Sequence, residues 1–167
     1  ETPPDAWSAT PIQVPGYWNT FPASVGGDWD AYDNFGHPAE WRDVRAGWYR
    51  CSSRHDRSRV PDGGRVRLTF DAVAGAARVR LNGRPLGENH ELFLPFWFDV
   101  TEAIRPDGDN ELLVFVGEPP QENGLWLQPP GSWVGWHLRG IWQDVYLDSL
   151  PGCFIDDVFV QPSVDRM

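Results

Sequence analysis

Three carboxylates stand close together in the middle of the chain. Glu88 and Glu91 bracket Asn89-His90, and Asp99 follows. Cleavage of a glycosidic bond needs two carboxylates facing each other across it, roughly 5–10 Å apart. Neighbouring carboxylates in one loop are more often solvated surface charge. Asp99, just ahead of Thr101 and Glu102, suits the cap of a turn. Catalysis from this stretch is therefore disfavoured. Binding suits it better: Asn89 offers an amide, His90 an imidazole and Glu91 a carboxylate, which together can bracket paired hydroxyls. A polar hairpin loop with no ligand is an equal reading.

A second group lies between residues 117 and 139, where Trp126, Trp133 and Trp136 are followed by His137 and Arg139. Flat indole faces suit sugar rings and protein interfaces alike. Arg139 can hold hydroxyls or a carboxylate through two parallel hydrogen bonds, or pair with an acidic neighbour. The alternative is that the tryptophans fold beneath their own loop or pack against another domain. Trp29, Tyr32 and Trp41 stand among Asp28, Asp30 and Asp33, as a second sugar surface or as a strap over the fold.

Other chemistries find little support. Gly-x-Ser-x-Gly is absent, and no Cys/His spacing suggests zinc. Asp107, Asp109 and Asn110 around Gly108 could surround a calcium ion, but a plain turn is the better reading. Cys51 and Cys153 could form one disulfide, which their spacing cannot show. The formal net charge is -10 and all 14 basic residues are arginine. That field repels polyanions, so nucleic acid and anionic membrane surfaces are poor partners. No apolar run nears the ~20 residues of a membrane span. The opening residues show no charged-then-apolar signal segment, and the chain starts at Glu1, so the compartment stays open.

The elements that must position these groups are strands. At 167 residues, 41% of them hydrophobic, one domain with a sizeable core is the simplest reading. Residues 1–45 form a Pro- and Gly-broken strap, with a helical turn expected around Ala39 to Val44. Strands are expected at Gly47–Ser52, around Val66, Leu68 and Phe70, and at Val79 and Leu81. Further strands are expected at Pro95–Val100, Glu111–Val116, Gly140–Asp148 and Phe154–Val160. Period-two alternation marks a sheet with one buried face. Asn82-Gly83 supplies the positive φ values of a tight hairpin, and Thr101 could cap a turn through Ile104. Trp48, Phe70, Phe98 and Trp142 lie in strand patterns and are read as core. Short strands with almost no helix give an all-β, antiparallel β-sandwich or jelly roll.

In order along the chain come Val14-Pro15-Gly16-Tyr17-Trp18, Gly47-Trp48-Tyr49-Arg50, Leu68-Thr69-Phe70-Asp71-Ala72-Val73, Leu81-Asn82-Gly83 with Gly87, Pro95-Phe96 with Phe98-Asp99-Val100-Thr101, Asn110-Glu111-Leu112-Leu113-Val114, and Gly140-Ile141-Trp142-Gln143-Asp144-Val145-Tyr146-Leu147. This succession resembles the N-terminal sugar-binding domain of glycoside hydrolase family 2, which includes β-galactosidases, β-glucuronidases and β-mannosidases. The resemblance implies a jelly roll of the galactose-binding type spanning residues 1–162, with 163–167 starting a linker. It also implies partners: a carbohydrate, and the immunoglobulin-like and barrel domains that follow in that family, the barrel carrying the catalytic glutamates. The parent protein would be a β-glycosidase, and this chain alone would not be catalytic. Two departures or additions bear on the site. Val134 stands where the β-galactosidase pattern has an acidic residue six positions before the Gly-Ile pair. No cofactor is implied, although the fold admits a structural calcium by analogy. Three functions remain open: a non-catalytic carbohydrate-binding module, a brace for a catalytic barrel, or a Trp-rich protein-interaction sandwich.

Overall fold

The computed structural model describes residues 2–18, 39–41, 44–92, 94–118, 121–122, 125–126 and 139–162. Within them are nine strands: β1 (Gly47–Arg54), β2 (Arg65–Phe70), β3 (Ala76–Leu81), β4 (Arg84–Asn89), β5 (Phe96–Asp99), β6 (Asp109–Gly117), β7 (Gln121–Glu122), β8 (Leu125–Trp126) and β9 (Val145–Leu150). They form a four-stranded sheet ordered β1-β6-β3-β4, a three-stranded sheet ordered β5-β2-β9, and the small hairpin β7-β8. Every strand pairing is antiparallel. The only helical turns among the described residues are of the 3-10 type, at Ala39–Trp41 and Arg57–Arg59.

The alternation in the sequence decides which face is buried. Val66, Leu68 and Phe70 turn inward from β2, opposite Tyr49, Val79, Leu81, Val114 and Val116 of the larger sheet, in one continuous core. Phe70 stacks on Phe96, with centroids 4.8 Å apart and planes 5° apart. Arg67, Thr69, Trp97, Tyr146 and Asp148 share the opposite, outer face of the smaller sheet through the register Thr69↔Trp97, Thr69↔Tyr146 and Arg67↔Asp148.

The strand ends fall into two groups. One end carries the tight turns. There Asn82 (φ 54) and Gly83 (φ 81) close the β3–β4 hairpin. The buried Asn110 amide ties that hairpin to the 105–108 turn. Its Oδ1 accepts from Arg105 N (2.7 Å) and Asn82 Nδ2 (2.8 Å), and its Nδ2 donates to Arg105 O (3.0 Å) and Gly108 O (3.1 Å). The other end gathers the start of β1, the 71–75 connection, the loop after β4 and the end of β6. We call it the loop end.

Several expectations are corrected here. Asp99 caps the turn after β5 as read, its Oδ1 accepting from Thr101 N at 3.0 Å and Thr101 Oγ1 at 2.6 Å, while the alternative of Thr101 as the cap fails. The Thr101 hydroxyl in turn accepts from Val66 N at 2.9 Å. The expected strand at Phe154–Val160 does not form, and the last strand runs from Val145, not Gly140. The tail instead crosses the outer face of β2, held by Arg67, and Ile155 and Phe159 stand 80% and 87% exposed. With no sheet edge against it, an alternating segment has no cross-strand partner to fix it as a strand. Both Cys51 and Cys153 are free and exposed.

Candidate functional site

The site is built at the loop end, where segment 16–18 runs beside 139–141. Gly16 N donates to Ile141 O (2.8 Å) and Trp18 N donates to Arg139 O (3.1 Å). Gly140 makes this approach possible. A Cβ there would lie 2.5 Å from Gly16 O and 3.0 Å from Tyr17 Cα, and its φ of +147° disfavours any side chain. Ala74 and Gly140 exchange backbone hydrogen bonds (2.8 and 3.1 Å), which locks this pair of segments onto the β2–β3 connection.

Residues on either side of Gly140 then come together. Tyr17 and Trp142 stack, centroids 6.1 Å apart and planes 11° apart. Both are partly buried, and burial pushes the Tyr17 hydroxyl above the ordinary tyrosine value. The Trp142 indole N–H donates to Leu92 O at 3.4 Å, a long bond that orients the ring against the loop after β4. That loop is held by Asn89 Nδ2 donating to Glu91 O at 2.9 Å. Beneath, the buried Tyr49 hydroxyl accepts from Ile141 N at 3.4 Å, and burial outweighs this bond to raise its pKa well above the usual range.

The expected site residues are placed as follows. Asn89, at the end of β4, sits opposite the buried Ala77 and spends its amide on the loop. His90 turns to Glu88, with Nε2 3.6 Å from its carboxylate. Glu88 lies opposite Arg78, whose guanidinium covers Phe115 at 4.5 Å on the outer face. The side chains of Asn89 and His90 thus serve different neighbours. Arg139 is 7% exposed, its chain lying where a Cβ on Gly75 would meet it at 3.2 Å. Burial draws its pKa down, while the nearby Glu118 carboxylate opposes that shift. Trp126 belongs to β8, in the hairpin that leaves β6 at this same end. Trp133, Trp136, His137, Val134, Trp29 and Tyr32 lie outside the described residues.

Two aromatic placements differ from the sequence reading. Trp142 belongs to the site and not to the core. Trp48 lies on the outer face, tilted against Phe115 at 5.4 Å. A period-two pattern cannot tell an inner face from a covered outer one. Tyr17 carried one signal that could have found it: it alternates with the buried Trp18 beside a Pro-Gly turn.

Asp99 does not face either glutamate. Asp99 stands at the turn end, bound to Thr101, while Glu88 and Glu91 stand at the loop end. Among the described residues no group of three or more His, Cys, Asp or Glu is arranged to hold a metal ion. Around Gly108 the three oxygen-bearing side chains diverge. Asp107 accepts from Arg57 N, Asp109 pairs with Arg54 at 2.8 Å, and Asn110 turns inward.

Residues 18–133 match the family described as glycosyl hydrolase 2 galactose-binding domain-like. The chain belongs to that family. Among curated relatives of this galactose-binding-like domain, a β-galactosidase of Halalkalibacterium halodurans is 33% identical over 99 residues, covering 59% of this chain and 9% of that protein. A β-galactosidase of Klebsiella pneumoniae is 31% identical over 106 residues, covering 64% of this chain and 10% of that protein. The chain thus spans about a tenth of the length of the curated relatives it matches. Among solved structures, an uncultured Clostridium sp. β-glucuronidase aligns with TM-score 0.56 and 27% identity, over 72% of this chain and 22% of that one. A Bacteroides uniformis β-glucuronidase, at TM-score 0.59 and 24% identity over 85% of this chain and 14% of that one, shares the fold.

Proposed function

We propose that this domain is a non-catalytic sugar-binding module of a larger β-glycosidase. One observation carries the reading: the Tyr17–Trp142 stack is held at the loop end against Leu92 of the loop after β4, on the side from which the Trp-rich 117–139 connection departs. A pyranose ring packs its C–H face on the outer side of that stack. The backbone of the 89–92 loop takes its hydroxyls. Relatives named β-galactosidase and β-glucuronidase support a terminal hexopyranose as the ligand class.

The test is tryptophan fluorescence of the chain titrated with galacto-, gluco-, manno- and glucurono-configured sugars, repeated with Trp142→Ala. Saturable binding with one configuration, weakened about tenfold or more by Trp142→Ala, is the expected result. Saturable binding that Trp142→Ala leaves unchanged defeats this placement of the site.

A second reading, the structural brace, is favoured by the tail. Ile155, Val158, Phe159 and Val160 are 80%, 64%, 87% and 74% exposed, an apolar row that suits a contact with a following immunoglobulin-like or barrel domain. Under this reading no sugar of the panel saturates, and Ile155→Ser with Phe159→Ser lowers the unfolding midpoint of the full-length glycosidase.

A further inference from the structure

A second cleft opens along the free edge of β1, on the other side of segment 16–18 from the Tyr17–Trp142 stack. It encloses about 480 Å³, within the ~300–1,000 Å³ usual for small-ligand sites. Trp7, Trp41 and Trp48 line it, all partly buried, above a base of buried Trp18 and Tyr49. The rings are held in place. Trp18 donates its indole N–H to Val44 O at 2.8 Å and tilts against Tyr49 at 5.7 Å. The Arg50 guanidinium lies over Trp7 at 5.5 Å and is itself fixed by Glu111 at 2.9 Å.

The polar lining is of one kind. The hydroxyls of Ser8, Thr10 and Ser52 stand exposed at the rim. Arg50 is the sole charged group among the described lining residues, and Glu111 balances it. A lipid or an apolar peptide would leave those hydroxyls facing apolar surface. An anionic ligand would find no unbalanced cation and would meet a chain of net charge -10. A neutral sugar satisfies both parts of the lining, its C–H faces on indole and its hydroxyls on hydroxyls.

We infer that the Trp7–Trp41–Trp48 cleft is a binding site for a neutral oligosaccharide, distinct from the loop-end stack. The inference does not rest on that stack binding sugar.

The experiment is isothermal titration of the Trp142→Ala chain, in which the loop-end stack is disabled, with neutral gluco-, galacto-, manno- and xylo-configured tetrasaccharides. Trp7→Ala in that background weakens the tetrasaccharide it binds about tenfold or more, and Trp7→Phe retains most of the affinity. Ser52→Trp fills the cleft from an exposed strand position without touching the core, and abolishes binding even where Trp7→Ala is too unstable to assay. The inference is overturned if no neutral tetrasaccharide saturates at millimolar concentration. It is equally overturned if binding survives Ser52→Trp.

Discussion

Replacing Gly140 with alanine tests how the loop end is assembled. Two costs add at this position. The first is conformational: φ is +147°, a region where a side chain costs roughly 1–3 kcal/mol. The second is steric. The new Cβ would stand 2.5 Å from Gly16 O, and since that atom is backbone, no rotamer change relieves the overlap. Segment 16–18 must retreat. The Gly16 N→Ile141 O and Trp18 N→Arg139 O bonds then lengthen or break, each worth about 1 kcal/mol. The total is about 3–5 kcal/mol, against the ~5–15 kcal/mol by which domains are stable. Gly63→Ala is the control. Gly63 has φ +68° but nothing within 4 Å of its Cβ, so it carries only the conformational cost of about 1 kcal/mol. Urea unfolding followed by tryptophan fluorescence reads both variants, at unchanged m if only native stability alters. The reasoning fails if the two midpoints fall equally. It fails in its functional part if Gly140→Ala, measured where it is folded, keeps full sugar affinity at the Tyr17–Trp142 stack.

Three further outcomes follow from particular contacts. Asn110→Ala removes four hydrogen bonds at a buried point and leaves Arg105 N without its acceptor, a loss of about 2–4 kcal/mol by urea unfolding. Because the turn end lies away from the site, the folded variant keeps its sugar affinity. Asp99 has its pKa lowered, chiefly by the Thr101 hydroxyl. A depressed carboxylate stabilises the fold above its unfolded value of about 3.9, and the contribution disappears as pH falls below that toward the folded value. Asp99→Asn therefore flattens the acid limb of stability against pH and lowers stability at neutrality, where the ionised carboxylate accepts from Thr101 and pairs with Arg65. Arg67, anchored on β9 by Asp148 (3.3 Å), holds the tail through Asp156 (2.7 Å) and lies between Trp97 and Phe154. Arg67→Ala is expected to speed chymotryptic cleavage at Phe154 and Phe159 without altering the core transition; unchanged cleavage would remove Arg67 as the clamp.

What the sequence settled by itself was local and periodic. Val66, Leu68 and Phe70 alternate with Arg65, Arg67 and Thr69, and that period alone assigns one face to the core. Asn82-Gly83 dictates a two-residue hairpin because both positions need positive φ. The order of such runs and turns was enough for the family. The loop after β4 was also legible as a polar feature, since Asn89, His90 and Glu91 are adjacent in the chain. Tertiary structure decided which distant groups meet. Tyr17 and Trp142 are 125 positions apart and stack only because Gly140 lets two backbones close to contact. Trp7, Trp41 and Trp48 share a cleft only because residues 7–12, Trp18, Trp41 and Val44 lie against the edge of β1. Asn89 and His90 are neighbours in sequence, yet they serve different partners. Alternation records how far each residue turns from its neighbour, whereas a binding surface depends on which segments the whole fold brings side by side.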